Sequence, residues 1–375
     1  MTTPEIAFAA GLLAVLATLA VGARLARNPV LWPLLALTLL LAFNLGYELL
    51  VQRIGFFGLA WREGHLYGTA MDVLKNGSLV MLLSLGMTLV IATSGVDLSV
   101  GAVMAISGAV AAGLIEAGGL GLPAVLAIAL GVCLLAGLWN GVLVAVFRIQ
   151  PLVATLVLMV AGRGVAMLIT EGRRITIQES YPSYDQFVYI GNGFLLYVPL
   201  AVTIVVVMWA ATHLLTRRTA LGMFIESVGD NDRASRYAGV NARAVKLAVY
   251  TFSALLAGIA GLIYASNIRT ADPSKAGLYL ELDAIMAVVM GGTALTGGRF
   301  YLLGSVAGAL LIQTLTTTML MHGLSSDQTL VPKALVVVAV CLLQSEQFRR
   351  KVLRVLRAAR PARTAPGDTA EGADA

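Results

Sequence analysis

Six polar residues sit where the surrounding sequence leaves them little water. Asp97 and Ser99 lie in IATSGVDLSVGAV (91–103), inside an apolar run that extends from 78 to 115. Asn140 stands in GLWNGVL, Arg163 in AGRGVAM, and Glu281 and Asp283 in YLELDAIMAVV. An ionised side chain at the centre of a bilayer costs about 2.5–3.5 kcal/mol on insertion scales, so each needs a partner, a helix terminus or an aqueous path. Asp97 stands where an N-cap would open a helix from Leu98, its carboxylate accepting otherwise unpaired backbone N–H groups. Alternatively, Asp97 and Ser99 line a break in the helix and offer acceptors to hydroxyl-rich solutes. The two readings are compatible.

Asn140 has the chemistry of an interhelical hydrogen bond, worth about 1 kcal/mol. Counted from Pro151 at about 1.5 Å per residue, Arg163 falls beyond the midplane toward the outer leaflet, where it snorkels or faces a pore. Glu281 and Asp283 are expected at the outer end of their element, as caps or as the lining of a mouth. Glu116 ends its apolar segment as an interfacial charge.

Enzyme chemistry is thin. His65, His213 and His322 are dispersed, and no G-x-S-x-G or H-E-x-x-H pattern is present. No G-x-x-x-x-G-K-[ST] appears either, so a P-loop ATPase on this chain is excluded and no cofactor of its own is expected. Cys133 and Cys341, both in apolar runs, suit buried packing and form no metal or disulfide spacing.

The elements that must hold these residues are membrane helices. Of the 375 residues, 58% are hydrophobic and only 12% charged, about half the charge of a soluble domain. A span takes roughly 20 apolar helical residues. Segments of this kind are read at 6–23, 30–50, 78–92, 100–117, 122–147, 151–169, 194–215, 246–266, 284–295 (short or broken), 300–320 and 328–344. The fold class is therefore all-α integral membrane, with about ten or eleven transmembrane helices. The strand-like alternation of a barrel is absent. The first ten residues carry Glu5 and no basic n-region, which favours a retained first span over a signal peptide.

Basic residues set the orientation. Arg217, Arg218, Arg233, Arg236, Arg243 and Lys246 place 216–246 in the cytoplasm, together with the basic stretch 349–363. By alternation Arg148, Arg24 and Arg27 are inside and 171–193 outside, despite Arg173, Arg174 and Lys275. The net charge of +6 belongs to loops beside anionic lipid rather than to a nucleic-acid surface. Residues 1–345 read as one polytopic domain that includes the cytoplasmic loop 216–245. Residues 346–375 read as a basic and then disordered cytoplasmic tail.

Two glycine-rich stretches, TSGVDLSVGA and GGTALTGGRF, interrupt helices and are followed by similar small-residue helices. Paired interruptions of this kind point to a transport pathway, although ordinary loops between short spans would look alike. The cytoplasmic stretch TRRTALGMFIESVGDNDRASRYAGVNARAVK reads as a short helix from about Thr219, a turn at VGDND, and a second helix closed by Gly239. Its apolar Leu221, Met223, Phe224, Ile225 and Tyr237 suit either a hairpin lying on lipid or a docking element for a cytoplasmic subunit.

At these residues the chain resembles the permease subunits of bacterial ABC importers for monosaccharides of the ribose, xylose and galactofuranose type, and most of all the galactofuranose permeases. The resemblance spans about 30–345. It rests on GMTLVIATSGVDLSVGAVMAISG, AGLWNGVLVAVFRIQPLVATLVLMVAGRGVA, the hairpin with its following helix, and ADPSKAGLYLELDAIMAVVMGGTALTGGRFYLLGSVAGALL. It implies a multi-pass protein of the bacterial inner membrane that moves a sugar. The implied partners are a cytoplasmic ATPase subunit that uses ATP, a periplasmic sugar-binding protein, and a second permease subunit, identical or related. Gly95, Asp97, Ser99 and Gly101 carry over as the intramembrane signature, with Asn140, Arg163, Glu281 and Asp283 as further path candidates. Thr219, Gly222, Glu226, Gly229, Asn231, Ala234 and Gly239 carry over as the ATPase-coupling loop. The family's usual GGIDLSVG reads TSGVDLSVG here, with Thr93 and Ser94 before Gly95. From the chemistry alone, an ion-coupled secondary transporter using Asp97 or Arg163 is the alternative.

Overall fold

A computed structural model of the chain describes residues 30–51, 56–58, 60–62, 64–325 and 328–344. The first expected span (6–23) and the tail (346–375) lie outside the described residues. Thirteen helices are present among those described: α1 (Leu31–Val51), α2 (Thr69–Ala92), α3 (Val100–Ala117), α4 (Leu122–Ala145), α5 (Pro151–Ile169), α6 (Tyr184–Asn192), α7 (Leu200–Arg218), α8 (Leu221–Asp230), α9 (Asp232–Tyr237), α10 (Ala242–Ile268), α11 (Leu280–Met290), α12 (Leu302–Met321) and α13 (Leu330–Gln344). Eight of them are long and apolar enough to cross a membrane. The short α11 and α13 account for the remaining apolar segments.

Local sequence sets many boundaries. Pro123 and Pro151 occupy the first turns of α4 and α5, where a missing N–H costs nothing. Asn241 caps α10 by accepting from the Ala244 amide at 3.2 Å. Among the described residues three two-stranded antiparallel ribbons decorate the loops: β1–β2 (Ala60–Arg62, His65–Tyr67), β3 (Ile175–Thr176) with a later strand β6 (Thr270–Ala271), and β4–β5 (Phe194–Leu195, Val198–Pro199). The β4–β5 hairpin explains why α7 begins at Leu200 rather than at 194. Conversely, α2 starts nine residues before the expected 78. Its polar first turns are accommodated because Lys75 Nζ donates to Asn192 Oδ1 at 2.8 Å.

At the centre runs α10, 27 residues and about 40 Å long, packed on α4, α2 and α3, while α12 packs on α2 and α11. The approach is close. A Cβ on Gly261 of α10 would run into the backbone of Met104 in α3, and one on Gly304 of α12 into Gly291 beyond α11. Small residues thus do in this bundle what they do in membrane helices generally, letting backbones touch. α2, α3 and α12 are mostly buried, whereas α4, α5 and α7 bury one face and expose an apolar one.

The two ends of α10 define the ends of the bundle. At Ala242 it meets the α8–α9 hairpin and Arg148; at Ile268 it meets β6 and, through it, β3. Of the basic groups expected in the cytoplasm, Arg148, Arg236, Arg243 and Lys246 therefore collect at one end, while Arg24, Arg27 and 349–363 lie outside the described residues. At the other end Arg173 makes a two-pronged contact with Glu116, at 3.0 and 2.7 Å, and Arg174 pairs with Asp272 at 2.8 Å. Carboxylates neutralise these arginines, and Glu116 is a partner rather than a bare interfacial charge.

Candidate translocation centre and coupling surface

Between α2 and α3 the chain breaks over residues 93–99. Ser94 takes a left-handed conformation (φ 60°). Asp97 does not cap a helix starting at Leu98, as its position suggested: α3 begins at Val100, with Ser99 before it. Instead Asp97 Oδ1 accepts from the Ser99 amide at 3.0 Å and from Ser99 Oγ at 2.6 Å, an Asx-type turn closed within the break. Asn140 Nδ2 of α4 donates to Ser99 Oγ at 2.8 Å, and Ser253 Oγ of α10 reaches Asp97 Oδ2 at 3.4 Å. All four side chains are buried. Tyr250 completes the cluster, and a Cβ on Gly95 would sit 2.5 Å from its hydroxyl. Asn140 is therefore the interhelical tie its chemistry suggested, and its target is the break itself. Ser253 is the twelfth residue of α10, about 17 Å along its axis, so the Asp97 cluster lies at mid-depth and is closed in this conformation.

Just beyond the cluster two helix N-termini meet. The stretch 272–279 turns back into the bundle and delivers the start of α11 against the start of α3. A Cβ on Gly101 would collide with both the Gly277 carbonyl and Glu281 Oε2. Glu281, expected at an outer rim, is thus a mid-depth residue. Its carboxylate lies beside the positive ends of two helices. The re-entrant stretch is held in two ways. Asp272 Oδ1 accepts from the Ser274 and Lys275 amides at 3.0 and 3.2 Å. Arg163, twelve residues or about 18 Å up α5, donates to the Ala276 carbonyl at 3.0 Å and approaches those of Pro273 and Ser274 at 3.4 Å. Arg163 has the expected depth, but it neither snorkels nor faces a pore: it caps a returning loop. Arg163 Nη2 and Glu281 Oε2 remain buried without a hydrogen-bond partner among the described residues.

Asp283 takes another course. It is neither a cap nor the rim of a mouth, because Lys333 of α13 pairs with it at 2.9 Å, both side chains nearly enclosed. Lys333 was missed in the sequence, although a lysine inside the apolar 328–344 segment is itself a signal for a buried partner. Ser253 and Tyr250 gave no such signal, being ordinary residues of a long helix.

At the basic end of the bundle the hairpin is built as read, with small shifts. Thr219 Oγ1 donates to the Leu215 carbonyl and accepts from the Leu221 amide at 3.2 Å, turning the chain from α7 into α8. A Cβ on Gly222 would overlap the Thr216 carbonyl, so only glycine permits this turn. Glu226 lies 3.9 Å from Arg217. Asn231, not a VGDND loop, separates the helices: α8 runs to Asp230, and Asn231 Oδ1 caps α9 by accepting from the Ala234 amide at 3.0 Å. Gly239 follows α9 in a left-handed conformation (φ 87°). Asp232 binds Arg236 with both oxygens at 3.0 Å and Lys246 at 3.2 Å. Partial burial opposes its charge, but the two cations prevail and hold the carboxyl below its ordinary value.

The apolar face of the hairpin is divided. Ile225 is fully buried in the bundle and Leu221 and Phe224 are half-buried, whereas Met223 (63% exposed) and Tyr237 (93%) face outward. The surface available to a partner is therefore smaller than five apolar residues suggested, because three of them fasten the hairpin to the bundle. Gly229 makes the closest attachment. A Cβ there would overlap the Ala92 carbonyl at the end of α2 and lie 2.5 Å from the Gly298 amide. Gly298 N itself donates to Ala92 O at 3.0 Å. Ser94 Oγ lies 2.7 Å from the carbonyls of both Gly229 and Thr296. The hairpin, the 93–99 break and the second break (291–301) thus share one backbone junction. Ser94, noticed in the sequence only as a departure from a family pattern, is its central donor.

Buried polar breaks at mid-depth, in a bundle of apolar helices joined to an external hairpin, define a multi-pass membrane permease. The chain belongs to the family described as the permease component of the branched-chain amino acid transport system, which matches residues 69–343. It is 53% identical over 293 residues (78% of this chain, 84% of the relative) to the galactofuranose transporter permease protein YtfT of Escherichia coli. It is 39% identical to the fructose import permease protein FruF of Bifidobacterium longum (78% and 82% covered) and 38% identical to the ribose import permease protein RbsC of Escherichia coli (74% and 85% covered). No solved structure matches it. It is a multi-pass protein of the bacterial inner membrane.

Proposed function

We propose that this chain is the membrane-spanning subunit of an ATP-driven importer, and that its cargo is a monosaccharide, galactofuranose or a similar pentose or hexose. Relatives named for sugar import support the cargo class, and the 53% identity to a galactofuranose transporter permease supports the narrower choice. On this reading the chain is not an enzyme and binds no cofactor. ATP is bound by a separate cytoplasmic subunit, a periplasmic binding protein delivers sugar, and a second permease copy or relative completes the path.

The single observation that carries the proposal is the junction at Gly229. An ATPase subunit gripping the exposed side of the hairpin, at Met223 and Tyr237, would move Gly229, and Gly229 touches both helix breaks at once. Movement outside the membrane is thereby passed to mid-depth, where Asp97, Glu281 and two helix N-termini gather. Interruptions at that depth are where transport proteins open and close. Four polar atoms there without a hydrogen-bond partner among the described residues, Asn140 Oδ1, Arg163 Nη2, the Tyr250 hydroxyl and Glu281 Oε2, suit a hydroxylated solute once the centre opens.

The test is ATP hydrolysis by material co-purified with the tagged permease from native cells, with and without its sugar-loaded binding protein. Stimulation by the loaded binding protein supports the proposal. No co-purifying ATPase, together with uptake that survives ATP depletion, overturns it in favour of an ion-coupled carrier.

A further inference from the structure

Beside the junction, at the cytoplasmic end, lies an open cavity of about 470 Å³, within the usual range for small-molecule sites. Its walls carry four cations, Arg148, Arg236, Arg243 and Lys246, against two carboxylates, Asp230 and Asp232, a surplus of two positive charges. Arg236, Lys246 and Asp232 satisfy one another. Arg148, Arg243 and the carboxylate Asp230 have no ion pair or side-chain hydrogen bond among the described residues, and all three are exposed, so Asp230 offsets one of the two guanidinium charges and the surplus over the whole wall is two. Arg148 holds a left-handed backbone conformation (φ 58°) just past the end of α4, where the Ile149 amide donates back to the Leu143 carbonyl at 3.0 Å and terminates the helix.

A third feature converges on the same space. α5 opens onto the cavity through Gln150 and Pro151, and no side chain caps its N-terminus. Pro151 has no N–H and the Val153 and Ala154 amides already donate to the Gln150 carbonyl, so the start of α5 adds the Leu152 amide and the positive end of a helix to the two guanidinium groups. A neutral sugar gains only ordinary hydrogen bonds from such arginines. A phosphate group gains charge-assisted, two-pronged hydrogen bonds from them.

We propose that this cavity is a cytoplasmic site for a phosphate-bearing ligand, the phosphate held by Arg148, Arg243 and the start of α5. Hydroxyl and amide groups of Ser94 and Gln150 and the remaining volume leave room for an attached polyol. The phosphate source is either a soluble phosphorylated sugar or the headgroup of an anionic lipid, since the exposed Phe147 and Ile149 flank Arg148 with apolar surface.

The test uses the full chain in nanodiscs of phosphatidylcholine, titrated calorimetrically with glucose 6-phosphate, inorganic phosphate and, as the neutral control, glucose. Saturable binding of the two phosphates but not of glucose is expected, weakened at least about tenfold in the Arg148→Gln/Arg243→Gln variant, a change of about 1.4 kcal/mol. Partial recovery is expected in the lysine pair Arg148→Lys/Arg243→Lys, which also controls for folding. In nanodiscs where phosphatidylglycerol replaces part of the phosphatidylcholine, loss of glucose 6-phosphate binding by the wild type assigns the site to the lipid headgroup. Retained binding assigns it to the soluble ligand. Equal binding by the wild type and the glutamine pair, or no binding of either phosphate source, overturns the proposal. The same holds if the glutamine pair loses only a co-purified ATPase subunit. Because every readout is binding, the result is independent of the transport reading.

Discussion

Gly229→Ala tests the junction directly. The added methyl must occupy space held by the Ala92 carbonyl and lies 2.5 Å from the Gly298 amide. Carbon and its neighbours settle at about 3.5–4 Å, so the hairpin must withdraw by on the order of 1 Å or more. Withdrawal separates Ser94 Oγ from the Gly229 carbonyl and disturbs the Gly298–Ala92 hydrogen bond, now 2.7 and 3.0 Å long. Overpacking costs about 1–3 kcal/mol, and each hydrogen bond contributes about 0.5–1.5 kcal/mol. The assembled junction therefore loses about 2–6 kcal/mol against the separated one, at least about a thirtyfold shift. Met223 and Tyr237 face away from the collision and stay available. The expected result in proteoliposomes is an ATPase subunit that still binds and hydrolyses ATP while sugar uptake per ATP falls at least about tenfold, the shift exceeding a factor of ten at its lower bound. Gly164→Ala is the control, because a Cβ there meets open space. Wild-type uptake per ATP in Gly229→Ala would refute the claim that this contact transmits motion.

Asp97→Asn keeps an acceptor oxygen for Ser99, so its thermal stability should change by no more than about 1 kcal/mol while uptake falls; normal uptake would leave a turn-closing role alone. Lys333→Met strands Asp283 inside the bundle and should cost about 3–5 kcal/mol in detergent unfolding, with Asp283→Leu/Lys333→Met recovering most of it. Failure of the double variant to recover would show that the pair does not act as a unit. Because Asp232 titrates below its ordinary 3.8 in the folded hairpin, its contribution is fully present above that value and lost as pH falls through the lowered one. Limited proteolysis of the hairpin should therefore be flat from neutral pH down to about 4 and rise below it, and Asp232→Asn should remove that step.

Several features were legible because they are local. Pro151 announced the start of α5, Gly239 the end of α9, and twelve helical rises the depth of Arg163. Other readings failed for equally local reasons. An aspartate that accepts from the amide two residues on looks the same in sequence whether it caps a helix or closes a turn, and Asp97 closes a turn. Glu281 was placed at a rim because the sequence does not show that 272–279 folds back, a course fixed by Arg163 of α5, more than a hundred positions away. The apolar residues of the hairpin were counted as one face, whereas contact with the bundle divides them.

Composition and periodicity by themselves determined the solvent, most of the helices and the basic end, because each follows from burial and charge summed along a short window; they marked the two glycine-rich interruptions without telling them from ordinary loops. Only the tertiary structure decided what the polar residues do. Asp97 with Ser253, Asp283 with Lys333, and Gly229 with Ala92 and Gly298 are separated by tens to hundreds of positions. In a bundle where glycines let backbones touch, the partner of a buried polar group is chosen by packing, and packing is a property of the whole chain.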